Sequence, residues 1–370
     1  MAPDKPDKVL SDNTETARAL IRLEEVLRGC RRLLILSHDN PDPDSIASAV
    51  ALKHLVREKF AIRSTIVYGG IVGRAENKAM WRLLKIKLTP IGRIRIRQYK
   101  HIALVDTQPK TGNNSLPAEV KPTVVIDHHP LRRATKAAMV DVRPEYGAVA
   151  SMMTEYLRES GCKIPIPLAT ALFYGISSET EALGREAGEA DTRAYLFLFP
   201  MTNKKHLARI QGPKLPRSYF SVLGRSLADA ATYKNVVVAR LGTVEVPELA
   251  AEVADLLVRL ERITWSLCMA RHGDRLVLSI RTTNVKARAG LLIQRLVGRR
   301  GHAGGHNLMA GGWLDGAGLS EEQWDQLEED MANRFLGLVG HKEIVAMRPL
   351  LEDAEPEGGQ SRWIREKPSE

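Results

Sequence analysis

Cysteine is nearly absent: Cys30, Cys162 and Cys268 are the only three in 370 residues, far apart and with no Cys-x-x-Cys pair. That argues against a disulfide framework and a structural zinc site, and a reducing compartment is the simplest expectation. Aromatic residues make up only 5%, too few for a surface built from many base-stacking platforms. No apolar run approaches the ~18 residues that a membrane helix needs. The opening Met-Ala-Pro-Asp-Lys-Pro-Asp-Lys lacks the apolar core of a signal peptide. These absences predict a cytoplasmic protein with no membrane partner.

What is present describes a globular chain. Hydrophobic residues are 44% and charged residues 26%, close to the globular average. At about 150 residues per domain, the length suits two domains. Lysine and arginine (54) exceed aspartate and glutamate (44), giving +10 and a pI near 9.5. Such an excess favours anionic partners, phosphate-bearing ligands first.

Short apolar runs at 33–36 (LLIL), 64–68 (STIVY), 102–105 (IALV) and 123–126 (TVVI) read as parallel strands buried on both faces. A helical pattern from Ser45 follows the first of them. Helices are expected at 146–159, 167–176, 189–199 and 217–231. A second domain opens with the strand-like NVVVARLGTV, then a helix whose Pro247 suits its first turn. His272-Gly273-Asp274 joins two further strands as a hairpin. A helix at 286–297, a strand at 306–314 and an amphipathic helix at 320–337 complete the pattern. The resulting expectation is α/β: a mainly parallel-sheet N-terminal domain over 13–212, a connecting segment over 213–232, and a smaller α/β C-terminal domain over 233–345. The active site would lie in the cleft between them. Residues 1–12 and 351–370 read as loose tails.

Functional groups in open α/β sheets sit at the carboxyl ends of strands. After the first strand, His38, Asp42 and Asp44 are packed into one proline-stiffened loop, Ser37-His38-Asp39-Asn40-Pro41-Asp42-Pro43-Asp44. Imidazole with carboxylates suits divalent first-row metals. The blander alternative is an acidic turn capping the following helix, with Asp44 at its N-cap. The third strand ends in Asp106 and the fourth in Asp127-His128-His129. One histidine there can hold a metal while Asp127 orients it.

These segments resemble the DHH phosphoesterase family. HDNPDPDS at 38–45, VDT at 105–107 and DHH at 127–129 follow its motif order. GISSET at 175–180 stands in the place of its fourth motif, and Gly304-Gly305-His306 resembles the Gly-Gly-His motif of its associated C-terminal domain. The resemblance implies two divalent cations, manganese first and magnesium as the alternative. His38 and Asp42 would hold one, Asp44 and His128 the other, and Asp106 would bridge them. Asp127 and His129 would be catalytic, the latter at the scissile phosphate. Glu179 stands where the family's fourth motif usually has aspartate, and is expected to be a ligand nonetheless.

From Arg275 to Leu314 there is no acid but seven basic residues, Arg281, Arg299 and Arg300 among them. Around a glycine-rich turn this suggests an anion cradle. His306, Gly304 and Gly305 carry over from the resemblance as substrate contacts. Arg93, Arg95 and Arg97 alternate as on one face of a strand, most simply a solvated one. The expected activity is two-metal hydrolysis of short oligonucleotides or nucleoside bisphosphates. Three alternatives stand beside it: a single-strand exonuclease, an inorganic pyrophosphatase or exopolyphosphatase, and a catalytically decayed nucleotide-binding protein. Oligomeric state is left open, a homodimer among the options.

Overall fold

The computed structural model describes residues 15–305, 307–341 and 346–351. His306 and the expected tails, apart from Leu351, lie outside the described residues. The chain divides into two compact units, with the boundary between Pro213 and Lys214.

The first unit runs α1 (Glu15–Val26), β1 (Arg32–Leu36), α2 (Pro43–Phe60), β2 (Arg63–Tyr68), α3 (Ala75–Leu83), β3 (Thr89–Pro90), β4 (His101–Val105), β5 (Val124–Asp127) and β6 (Met139–Val142). It continues through α4 (Val149–Glu159), α5 (Ile166–Glu179), α6 (Glu189–Leu198) and α7 (Lys204–Gln211). Its strands form one sheet in the order β3-β2-β1-β4-β5-β6, and every pairing is parallel. Successive residues of β1 serve opposite faces: Leu33 and Ile35 join a core with α2, α4 and α5, while Leu34 and Leu36 face Ile102, Leu104 and Val125. All four are fully buried, worth roughly 1.5–3 kcal/mol each in water removed.

The second face corrects one expectation. Residues 91–98 form two short 3-10 turns rather than a strand. Ile91, Ile94 and Ile96 pack on the sheet, and Arg97 pairs outward with Glu119 at 2.9 Å. Apolar burial of the isoleucines, not ladder pairing, set that segment.

The second unit comprises α8 (Arg217–Asp229), β7 (Ala231–Tyr233), β8 (Val236–Thr243), α9 (Leu249–Leu257), β9 (Trp265–His272), β10 (Arg275–Thr282), α10 (Ala289–Val297), β11 (Gly301–Gly305), β12 (Met309–Asp315), α11 (Glu321–Leu338) and β13 (Arg348–Pro349). Its sheet runs β11-β12-β10-β9-β8-β7-β13. Helices α10 and α11 cover one face, and α8 and α9 the other. The glycine-rich run expected as a turn is the edge strand β11. Gly305 has φ 150°, and a Cβ there would sit 2.4 Å from the Met309 carbonyl oxygen, so only glycine closes this pairing. Among the described residues no helix is long and apolar enough to cross a membrane.

Candidate metal centre

From β1 the chain moves outward through β2 to β3, then returns to place β4 on the other side of β1. Parallel sheets open a crevice at such a reversal, beyond the carboxyl ends of the two strands. His38 and Asp42 follow β1, Asp106 follows β4, and His128 and His129 follow β5. Three remote stretches of sequence thus arrive together.

Asp106 is the centre of the group. It is 2% exposed, and its φ of 61° lies in the left-handed region, where a non-glycine residue is strained. Its amide donates to the Ile126 carbonyl at 2.9 Å, holding the backbone there. One carboxylate oxygen, Oδ2, faces His38 Nε2 at 3.5 Å, and the other, Oδ1, faces His128 Nε2 at 3.5 Å. The Oδ1 atom is buried with no hydrogen-bond partner among the described residues.

The histidines are turned alike. His38 Nδ1 lies 2.9 Å from the Asp39 carbonyl, and His128 Nδ1 lies 3.1 Å from the Tyr146 carbonyl. A carbonyl only accepts, so Nδ1 carries a proton and Nε2 of each ring is turned to Asp106 as the nitrogen left for a cation. Imidazoles that bind metals are fixed in this way. Asp42 Oδ2 stands 3.4 Å from His38 Nε2. Its other oxygen accepts from the Ser45 amide, so Asp42, not Asp44, is the N-cap of α2.

Donor atoms of His38, Asp42 and Asp106, and separately those of Asp106, His128 and His129, fall within 4.8 Å of one another. Asp44 belongs to neither group. Its oxygens accept from the Val149 and Ala150 amides at 2.8 and 2.7 Å, capping α4. Glu179 ends α5, with Arg185 Nη2 4.0 Å from its carboxylate. Glu181, Ala182 and Leu183 follow it with φ of 48°, 57° and 72°, a strained left-handed run.

Charge is out of balance here. Burial opposes protonation of His38, yet the Asp42 charge and the Asp106 contact raise its pKa well above the ordinary imidazole value. His128 is raised against burial by its carboxylate neighbours, Asp106 foremost. Burial would raise Asp42, but His38 brings it down to about 2. Burial, then the charges of Asp106 and Asp42, push Asp44 well above the carboxylate range. Burial and Asp42 push Glu179 up to about 7. Carboxyls that keep protons for want of positive charge, around a bare buried oxygen, fit divalent cations.

Asp127 serves a different purpose. Its Oδ1 accepts from the His128 amide at 2.9 Å and lies 2.8 Å from His129 Nδ1. Against burial, the His129 hydrogen bond and charge lower the Asp127 pKa, and the same bond raises that of His129.

In the second unit, Arg281 is buried. Its Nε donates to Asp255 and its Nη1 to Ser279 Oγ and the Ile280 carbonyl at 2.9 Å each. Arg299 and Arg300 are exposed between α10 and β11, which carries Gly304 and Gly305.

Sequence reasoning missed Gln108, which contacts Asp127, and the Tyr146 carbonyl behind His128. A backbone carbonyl has no residue signature, and a glutamine in a turn has almost none.

Residues 32–176 match the DHH family, N-terminal domain. The first unit carries a DHH domain. Every residue of both three-residue groups lies inside the matched span, and Glu179 lies just beyond it. An uncharacterised protein of Methanocaldococcus jannaschii is 38% identical over 272 residues, 73% of this chain; the chain spans 56% of that relative's length. A probable manganese-dependent inorganic pyrophosphatase of Streptococcus equi subsp. zooepidemicus is 25% identical over 235 residues, 59% of this chain and 73% of that protein. The crystal structure of an exopolyphosphatase-related protein from Bacteroides fragilis matches at TM-score 0.68, covering 90% of this chain and 99% of the other. At 15% identity that is a likeness of fold.

Proposed function

We propose that this DHH-domain protein is a metal-dependent phosphoesterase acting on short oligonucleotides or nucleoside bisphosphates. The observation that carries the reading is Asp106, buried, with one oxygen facing the Nε2 of each of two histidines. His38, Asp42 and Asp106, and on the other side Asp106 with His128 and Glu179, would hold manganese ions that supply an activated water and neutralise charge at phosphorus. Asp127 keeps the His129 imidazole in place, and His129 exchanges a proton at Nε2 with the leaving oxygen. The exposed Arg299 and Arg300 are candidates for holding substrate phosphates.

Pyrophosphate hydrolysis is the second reading, favoured by the streptococcal relative. A dinucleotide, a nucleoside bisphosphate, pyrophosphate and a long single strand, assayed side by side with manganese, separate the two. The expected result is fastest turnover of the dinucleotide or the bisphosphate. Preference for pyrophosphate would replace the first reading, and no manganese-dependent release from any would end both.

Glu179 makes a sharper prediction. Protonated below about pH 7, it must lose that proton to bind a cation, so manganese affinity should fall as pH drops through 7. In Glu179→Ala, affinity and rate at pH 8 should fall at least about tenfold, with a shallower pH dependence. Titrations that superimpose on the wild type would show that Glu179 is no ligand.

A further inference from the structure

Gln108 is 1% exposed and sits two residues after Asp106. Its Nε2 donates to Asp127 Oδ2 at 2.7 Å, and to the His129 and Pro130 carbonyls at 3.3 Å each. Its Oε1 accepts from the Arg132 amide at 2.9 Å and from Thr135 Oγ1 at 2.6 Å. The nitrogen meets only acceptors and the oxygen meets the Arg132 amide, so a flipped amide would lose every bond but the one to the Thr135 hydroxyl, which can also accept. Its backbone carbonyl is pinned as well, by Thr111 Oγ1 at 2.9 Å and Asn114 Nδ2 at 2.8 Å.

This wiring matters because of what it leaves to Asp127. That carboxylate is 1% exposed, so its oxygens need protein donors. Oδ1 takes the His128 and His129 amides and the His129 ring. Gln108 is the donor recorded on Oδ2. Without it a buried carboxylate oxygen would stand bare, and the group would turn to share the donors now gathered on Oδ1.

We propose that Gln108 is the positioning residue for His129: by holding Asp127 Oδ2 it keeps Oδ1 on His129 Nδ1–H, leaving Nε2 as the nitrogen that exchanges the proton. The catalytic part rests on the phosphoesterase reading, while the ring geometry does not. Glutamine is required because one side chain must donate to a carboxylate and accept from a backbone amide at once. Gln108→Glu keeps the acceptor and loses the donor; Gln108→Met loses both.

The first measurement uses the metal-free wild type: imidazole 15N signals of His129 should report a proton on Nδ1. A proton on Nε2 instead overturns the proposal without any variant. In both Gln108 variants those signals should leave the Nδ1–H position. With saturating manganese and a dinucleotide, kcat should fall at least about tenfold while KM and bound manganese stay within about twofold. Combined with Asp127→Asn, Gln108→Met should add nothing further, since both act through one contact. Unchanged ring signals, an additive double variant, or a kcat loss matched by metal loss would each overturn it. A wild type inactive on every phosphoester would refute the phosphoesterase reading and leave the ring signals to decide the geometry.

Discussion

Asp106→Ala is expected to abolish phosphoester hydrolysis and lower the manganese bound per chain. Both groups of donor atoms include Asp106, so one substitution dismantles both. Asp106→Asn is the finer test, because asparagine also tolerates the left-handed φ of 61° and differs mainly in charge. It should be equally inactive. The loss in Asp106→Asn should not come from misfolding, because Oδ1 has no hydrogen bond to give up and asparagine keeps the left-handed backbone. Metal-free Asp106→Asn should melt no lower than the metal-free wild type, in keeping with sites that trade stability for function. Near-normal turnover in either variant would remove the two-metal reading.

Arg143→Met should cost the most stability. The side chain is 1% exposed and meets Asp141 through two parallel bonds of 2.8 Å. Tyr156 donates to the same carboxylate at 2.6 Å, and Arg143 Nη1 reaches Thr16 Oγ1 at 2.9 Å. Breaking a buried pair by removing one partner typically costs about 3–5 kcal/mol, because the other charge stays behind. Urea unfolding measures it. Replacing Asp141, Arg143 and Tyr156 together by Leu, Met and Phe should recover most of the loss, since the buried pair is then gone and only the partly exposed Glu155, 3.5 Å from Arg143 Nη1, loses a partner. Arg143 also bonds through its amide to the Asp127 carbonyl at 3.0 Å, three residues before the carbonyl that orients His128. A loss under 1 kcal/mol would show that the pair behaves like one at the surface.

The four strands of the parallel sheet that the sequence revealed carry apolar runs buried on both faces, in β2 only over its last three residues, Ile66, Val67 and Tyr68. β3 and β6 are short or half-exposed and left no such run. Arg93, Arg95 and Arg97 imitated strand alternation because isoleucines anchoring a turn can alternate with solvated arginines as well. β11 was hidden for the opposite reason: its glycines look like a turn, yet they let two backbones approach. In the site, His38, Asp106 and His128 were legible because each stands just beyond a strand. Asp44 shows the limit of that logic, since spacing brought it to the loop but could not reveal that α4 takes both its oxygens. Arg281 is similar: the one-signed stretch around it hid Asp255, which lies earlier in the sequence.

The parallel order of the first sheet has a kinetic consequence. β1 pairs with β4 through Leu33 opposite His101, and this contact forms only after the intervening crossover has wound back. Until then His38 and Asp106 are ends of an open loop whose closure is entropically opposed. A cation cannot nucleate the pocket that is to hold it, because the slow, non-local strand pairing must come first. Its stabilisation by mass action therefore falls on escape from the native state rather than on arrival there. A loaded chain would last longer once folded without folding any faster.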